Sequence, residues 1–199
     1  MIPEQEIRRK LLHAATAFIP LLYWFFPDIG PLTGQQWVLI LFVIFGGLFV
    51  FADYFRRRSA FIRKVFFWFA APFLRDIEEK KMTAASVIAV SFFLVLLIFP
   101  ARIAVPACLL LSVGDAASGL VGRRFGRHPW FKHYTVEGSL AFIAAGLLLF
   151  TLAFPYIPFW KAAVTVTVCA LFEGLLSHLN DNLVIPFSAA ALLLMLEVQ

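Results

Sequence analysis

Long apolar runs separated by short polar breaks follow one another along the chain, and they limit what it can fold into. A helix needs about 20 mostly apolar residues to cross the roughly 30 Å hydrocarbon core of a bilayer. Of the 199 residues, 62% are hydrophobic and 15% are charged, and the mean hydropathy is +0.88. These values lie outside the range of soluble domains. Residues 1–199 are therefore predicted to form a single integral membrane domain.

The lengths of the apolar runs predict an all-α fold, a polytopic membrane helix bundle with about seven transmembrane helices. The first run ends at Pro27 and Asp28 without a small-residue cleavage site, which favours a retained span over a signal peptide. The basic segment Ala60–Arg75 is too short to cross, and an interfacial amphipathic helix is predicted there. The predicted spans are 11–27, 36–54, 83–99, 103–121, 138–155, 160–179 and 183–197, of which the last is short enough to be re-entrant instead.

The distribution of basic residues predicts the orientation of the bundle. If the N-terminus is cytoplasmic, all of the 17 Lys and Arg residues except Arg102 and Lys161 fall in predicted cytoplasmic segments. The positive-inside rule therefore places the N-terminus, and the polar segment that follows the fourth span, in the cytoplasm. Anionic membrane lipids facing this surface account for the net charge of +5, so no nucleic-acid partner is predicted.

Asp115 interrupts the fourth apolar run, within the sequence GDAASGLVG. An ionisable group at this depth is costly unless it pairs, lines an aqueous cavity or binds a cation, which favours a functional role. The alternative is a structural aspartate that bonds to a neighbouring helix. Gly114, Ser118 and Gly122 recur at four-residue spacing and place small residues on one helical face. Such a face admits a ligand, but it is also typical of plain helix packing.

The segment after this run is rich in basic residues and glycine, as a phosphate-binding loop would be. An ordinary basic loop at the cytoplasmic surface is the alternative. Glu137, at the start of the next run, is predicted to supply a second oxygen ligand opposite Asp115, because Mg²⁺ in phosphoryl transfer is held by one or two carboxylates and the substrate phosphates. The other residues of this segment that suggest a site are Gly122, Arg123, Arg124, Gly126, Arg127, Lys132, Thr135 and Gly138.

Two further polar stripes are predicted to reach the same membrane face, because their members recur at helical spacings of three and four. A basic membrane anchor is the alternative for the first stripe, and an interhelical hydrogen-bond network is the alternative for the second. The first stripe consists of Glu6, Arg9, Lys10 and His13, and the second of Glu173, Ser177, Asn180 and Asp181.

The strings GDAASGLVGRRFG and TVEGS, with EIRRKLLH near the start and Glu173 and NDN near the end, resemble the CTP-dependent polyprenol kinase family. This family includes dolichol kinase, phytol kinase and the yeast-type CTP-dependent diacylglycerol kinase. The resemblance implies a membrane enzyme that transfers the terminal phosphate of CTP to the hydroxyl of a lipid alcohol. It places Asp115, Gly119, Gly122, Gly126, Thr135, Glu137 and Gly138 in the nucleotide and metal motif, and Glu6, Arg9, Lys10 and His13 in the N-terminal signature. The family usually has lysine where this chain has Tyr134, and Lys132 is expected to substitute.

These observations predict a role for each residue in phosphoryl transfer. Asp115 and Glu137 bind Mg²⁺, while Arg123, Arg124 and Lys132 bind the triphosphate. Asp181 or Glu173 accepts the proton of the alcohol, and Asn182 completes the metal shell or orients the substrate.

Two other functions stay open from the sequence. One is an ion- or proton-coupled transporter that uses Asp115, Glu173 and His13. The other is a further CTP-using membrane enzyme such as a cytidylyltransferase, although the aspartate-rich signature of phosphatidate cytidylyltransferase is absent. The identity of the lipid acceptor, the choice between CTP and ATP, and a homo-oligomeric assembly are also left open.

Overall fold

The computed structural model describes residues 4–70, 81–131, 134–176 and 179–198, and most of them are helical. The helices are α1 (Glu4–Ala15), α2 (Phe18–Phe25), α3 (Gly34–Phe55), α4 (Ala60–Ala70), α5 (Ala84–Ile98), α6 (Ala101–Leu110), α7 (Ala116–Phe125), α8 (Val136–Ala153), α9 (Phe159–Leu175) and α10 (Asp181–Met195). A π-helical turn, Leu111–Asp115, joins α6 to α7. A short antiparallel hairpin of β1 (Pro129–Phe131) and β2 (Tyr134–Thr135) corrects the all-α prediction.

Three helices are long and apolar enough to cross a membrane, among the residues that the structure describes. They are α3, the continuous helix formed by α6, the π-helical turn and α7, and α8, and they coincide with the predicted spans 36–54, 103–121 and 138–155. The predicted spans 83–99, 160–179 and 183–197 correspond to α5, α9 and α10, which have 15, 17 and 15 residues. Seven transmembrane helices are therefore not confirmed.

The first predicted span, 11–27, is wrong as a single helix. The chain leaves the helix after Ala15 and begins α2 at Phe18. Pro20 explains the interruption, because it has no N–H and its ring excludes the carbonyl of the residue four positions earlier, which is Thr16. The polar helix α1 is thereby separated from the apolar α2.

The predicted interfacial segment Ala60–Arg75 is helical where the structure describes it, over α4. Its remaining residues, 71–75, lie outside the described part of the chain. A position of α4 at the membrane interface stays a prediction.

The core lies between α5, α6, α8, α9 and α10. Phe92, Leu110, Phe142, Phe150 and Val166 are fully buried there. Small residues let the helices approach closely, since a Cβ on Gly146 would lie 2.6 Å from Leu110. This packing fixes the relative positions of the helix ends that carry the polar residues.

The two ends of the bundle differ in their polar contacts. At one end, the Tyr156 hydroxyl donates to the carbonyl of Arg102, and the Lys161 ammonium lies 3.3 Å from the carbonyl oxygen of Glu197. At the other end, α1 meets the N-terminal ends of α5, α8 and α10 and the C-terminal ends of α7 and α9 around a cavity. The cytoplasmic orientation of this second end stays a prediction.

Candidate active site

A cavity of about 540 Å³ lies between these helix ends. Its volume is within the range of about 300 to 1,000 Å³ that is usual for small-molecule sites. Described residues of the two predicted polar stripes meet the segment around Asp115 here, while Ser177 of the second stripe lies outside the described residues. The predicted site residues that line the cavity are Arg9, Lys10, Asp115, Gly119, Gly122, Arg123, Thr135, Gly138, Glu173, Asp181 and Asn182.

The π-helical turn places Asp115 at the cavity. Asp115 is its last residue and is only 8% exposed. Such turns are rare in proteins as a whole, but many of those that occur lie at functional sites. One extra residue in a helical turn redirects the side chains around it. Gly114 is required beside it, since a Cβ there would lie 2.6 Å from the Phe142 ring. The tight contact with α8 therefore restrains the helix just before the aspartate.

Helix α1 supplies a buried ammonium partner to Asp115. The Lys10 Nζ donates to Oδ2 of Asp115 at 2.7 Å and to its backbone carbonyl at 2.9 Å. His13, one helical turn further along α1, places Nε2 3.4 Å from the same Oδ2. A Cβ on Gly119 would overlap the end of the Lys10 side chain. Glycine at position 119 thus leaves the space that the Lys10 side chain occupies when it contacts Asp115.

Two further carboxylates face the cavity, and each has one oxygen without a partner among the described residues. Glu173 is 2% exposed, and its Oε1 accepts a hydrogen bond from Ser118 Oγ at 3.0 Å while Oε2 accepts none. Asp181 accepts a bond from the Tyr134 hydroxyl on Oδ2 at 2.5 Å, and its Oδ1 has no partner. Buried polar atoms are rarely left unsatisfied, so these two oxygens are candidates for contact with a ligand.

Tyr134 bonds as a neutral donor. Burial, reinforced by the hydrogen bond to Asp181, raises the pKa of Tyr134 well above its ordinary value. The phenol therefore stays protonated over the physiological range and holds Asp181 without adding a positive charge.

Cationic side chains line the same cavity. The Arg9 Nε and an Arg123 amino group both lie 3.2 Å from Oε2 of Glu6, which links α1 to α7. Lys81, which precedes α5, also lines the cavity. The site therefore combines carboxylates with guanidinium and ammonium groups, a composition suited to a polyanion that carries a divalent cation.

Close packing of α7 on α8 fixes the glycine-rich part of the site. Thr135 caps α8 by accepting a bond from the Gly138 N–H at 3.2 Å. A Cβ on Gly138 would lie 3.1 Å from the Ser118 carbonyl and 3.3 Å from the Cα of Gly122. These glycines let the two backbones approach each other, as the spacing of small residues on α7 indicated.

Some predicted residues are not brought into the lining of the cavity. The Glu137 Oε1 lies 2.7 Å from Nδ1 of His128, and the pair faces the surface. The Arg124 guanidinium lies 5.4 Å from the centre of the Phe125 ring, and Gly126 ends α7. His13 contacts Asp115 from outside the lining. Lys132 lies outside the described residues, so its expected substitution for the family lysine is not tested.

The cavity also contains residues that were not assigned to the site from the sequence. Ser118 was noted only as a small residue and Tyr134 only as a departure from the family pattern. Ser139 accepts a bond from the Trp130 indole at 3.1 Å, which fixes the hairpin over α8. Lys81 was counted only as a basic residue, because no local motif marks it.

The chain has known relatives over most of its length. It is 28% identical to CTP-dependent diacylglycerol kinase 1 of Schizosaccharomyces pombe over 96% of this chain and 93% of the relative. A Rickettsia prowazekii protein named only as uncharacterised is 27% identical over 92% of this chain and 90% of its own length. The dolichol kinase of S. pombe is 36% identical over 39% of this chain, which spans only 16% of that longer kinase.

No protein-family model matches the chain, and no solved structure matches it. The apolar helices and the membrane-enzyme relatives support an integral membrane protein, and the homology supports a lipid kinase. The resemblance seen in the motifs is thus confirmed: dolichol kinase and CTP-dependent diacylglycerol kinase are homologues of the chain, which supports the CTP-dependent polyprenol kinase-like family.

Proposed function

We propose that the protein transfers the terminal phosphate of CTP to the hydroxyl of a lipid alcohol, in the cavity between α1, α7 and α10. One observation carries this proposal. The carboxylates of Asp115, Glu173 and Asp181 share a cavity with Arg9, Lys10, Lys81 and Arg123, and two of the carboxylate oxygens have no partner among the described residues. The name of the S. pombe relative supports CTP as the donor.

The residues of the cavity fit Mg²⁺ bound together with a nucleotide. No group of three His, Cys, Asp or Glu side chains within the described ranges could hold a metal ion alone. Mg²⁺ is usually held by one or two carboxylates together with phosphate and water, so the unpartnered Glu173 Oε2 suits it. Asp115 is the second candidate ligand, because it lines the same cavity as Glu173. Bound there, Mg²⁺ would neutralise charge on the transferring phosphoryl group.

The remaining residues of the cavity would position the two substrates and accept the proton of the alcohol. Arg9 and Arg123 would hold the triphosphate, and the close glycine backbones of α7 and α8 would let it approach. Lys10 donates a hydrogen bond to Asp115 and compensates the charge of this buried carboxylate. Asp181 would accept the proton of the alcohol on Oδ1, while Tyr134 fixes the orientation of the carboxylate through Oδ2. Asn182, beside it on α10, would orient the hydroxyl.

The lipid acceptor would enter from the apolar side of the cavity. Met82, Ala84 and Leu179 line it there, and Leu179 is 50% exposed. A long hydrocarbon tail needs no polar recognition, so the bilayer itself can hold most of it. The cavity would then recognise only the hydroxyl end of the alcohol, which leaves the class of tail to be found by assay.

The decisive assay measures phosphorylated lipid directly. The detergent-purified protein is incubated with Mg²⁺, terminally labelled CTP or ATP, and a panel of dolichol, phytol, geranylgeraniol, undecaprenol and diacylglycerol. A labelled lipid phosphate formed from CTP is expected. The proposal is refuted if a preparation with a cooperative thermal transition labels no acceptor from either nucleotide.

Carboxylate variants then test the assignment of roles. Asp181→Asn should lower kcat by about 100-fold or more, because a positioned proton acceptor contributes about 10² to 10⁴. Glu173→Gln should lower the activity further than Glu137→Gln, since Glu137 bonds to His128. Glu197→Gln, an exposed carboxylate at the opposite end, is the matched control. Equal losses of activity in Glu137→Gln and Glu173→Gln would instead support the metal ligands predicted from the sequence, Asp115 and Glu137.

A further inference from the structure

A buried ion pair outside the cavity forms hydrogen bonds to a segment that lines the cavity. Asp53 and Arg56, near the end of α3, are 0% and 2% exposed. The Arg56 Nε donates to Oδ1 of Asp53 at 2.6 Å. The other oxygen, Oδ2, accepts bonds from the Thr83 N–H at 2.8 Å and from the Ser86 hydroxyl at 2.5 Å. The aspartate is thus satisfied by groups from α3 and from the start of α5.

The arginine continues this network toward the cavity. Its Nη2 donates to the backbone carbonyl of Lys81 at 2.8 Å, and its guanidinium lies 4.9 Å from the centre of the Phe66 ring on α4. Lys81 and Thr83 are therefore held from both sides of Met82. Of this short segment, Lys81, Met82 and Ala84 line the cavity.

Burying a charged pair is costly, and a well-packed apolar pair of similar volume often folds as well or better. An ion pair that does no more than stabilise the fold is therefore a weak explanation for these two residues. The hydrogen bonds of this pair to the backbone of Lys81 and Thr83 instead fix the position of the segment through which Lys81 lines the cavity.

Lys81 differs from the other cations of the cavity. Lys10 donates to Asp115, and Arg9 and Arg123 pair with Glu6. The Lys81 ammonium makes no ion pair with any residue in the described ranges. Lys81 thus lines the cavity without an ion pair to any residue that the structure describes.

We infer that Lys81 binds a phosphate of the nucleotide and that the Asp53–Arg56 pair is its positioning device, an inference that rests on the proposed kinase function. Lys81 would contact the substrate directly. Asp53 and Arg56 would act only through it, by holding the segment that carries it.

The test compares steady-state constants for CTP. Lys81→Met should raise the KM for CTP about tenfold or more, because a charge-assisted hydrogen bond is lost. Lys81→Arg should recover most of the affinity. Lys64→Met, which removes an exposed cation from α4, is the matched control and should keep the wild-type KM.

The positioning role is read from a second pair of variants. Arg56→Lys keeps the charge but cannot hold Asp53 and the Lys81 carbonyl at once, so the KM for CTP should rise with little change in kcat. Introduced into Lys81→Met, the same change should raise the KM no further. A general loss of folding would instead lower the activity in both backgrounds.

The possible failures are distinguishable. If the wild-type protein phosphorylates no lipid, the proposed function fails. If it does, and Lys81→Met has the KM of Lys64→Met, the role of Lys81 is refuted and the kinase function stands. If Lys81→Met raises the KM but Arg56→Lys raises it equally in both backgrounds, the positioning role of the ion pair is refuted.

Discussion

Replacing Lys10 by methionine tests the ion pair at the centre of the site. The side chains of Lys10 and Asp115 are 6% and 12% exposed, and two hydrogen bonds join the lysine to Asp115. Methionine keeps a long, flexible, apolar side chain but removes the charge and both bonds. Asp115 would be left buried with the His13 imidazole, 3.4 Å away, as its nearest basic group.

The expected loss of stability follows from these contacts. Removing one partner of a buried ion pair costs about 3 to 5 kcal/mol, since the remaining charge has no compensation. His13 and the adjoining cavity, which admits water, offset part of it, so about 3 kcal/mol is expected. For a chain of this length, 1 kcal/mol lowers Tm by roughly 2–4 °C. The variant should therefore melt about 6–12 °C below the wild type.

A second substitution isolates the pairwise interaction. Asp115→Asn removes the charge that Lys10 compensates, and the double variant Lys10→Met/Asp115→Asn leaves neither charge buried. The two single variants each lose free energy of unfolding, and the sum of these losses should exceed the loss in the double variant by about 2 kcal/mol. A difference of this size is expected for residues in direct contact. The double variant should still be inactive, because the proposed metal ligand is gone.

The structure supplies the probe for the measurement. Cys108 and Cys169 are free and fully buried, so a thiol-reactive dye should label them only as the protein unfolds. Melting curves followed in this way compare Lys10→Met with Lys64→Met, the same change at an exposed position. The reasoning is wrong if both variants melt together, or if the effects of the two site substitutions simply add.

Two more substitutions test other parts of the site. Tyr134→Phe removes the hydroxyl that orients Asp181 and should lower kcat about tenfold in the lipid assay with little change in Tm; an unchanged kcat would remove Tyr134 from the mechanism. Gly138→Val should lower both Tm and activity, because its Cβ would lie 3.1 Å from the Ser118 carbonyl, and dye-followed melting at wild-type temperature would show that α7 and α8 can separate.

The convergence of the polar stripes could be predicted because the bilayer leaves little choice. A polar side chain such as Asp115 or Glu173 in an apolar helix must find partners inside the bundle, and short connections bring consecutive helix ends together. The membrane-length helices were also predictable from apolar length alone. What a length argument misses is a local break, and Pro20 divides the first predicted span although the apolar run continues through it.

The direction of individual side chains could not be predicted from spacing. Glu137 lies in the first turn of the expected apolar helix, but its carboxylate does not face the cavity. His128, which precedes the β1–β2 hairpin, lies beside it and pairs with it. From the sequence, Arg56 is only one of the basic residues of a predicted cytoplasmic segment, because the positive-inside rule treats every arginine of a connection alike. Its burial depends on Asp53 one helical turn earlier and on Thr83 from a distant segment, contacts that only the packed structure brings together.

The departure at Tyr134 is explained by how the cavity distributes its charges. A lysine at this position would bring a second buried ammonium beside Asp181, in addition to the one that Lys10 already provides to Asp115. Tyrosine holds Asp181 by a neutral hydrogen bond, and none of the described residues forms an ion pair with this carboxylate. Since Glu173 is also without a cationic partner among the described residues, the cavity keeps two carboxylates available on the side away from Lys10. A divalent cation that arrives with the nucleotide is the group that such an arrangement can accept, and an ammonium at position 134 would compete with it.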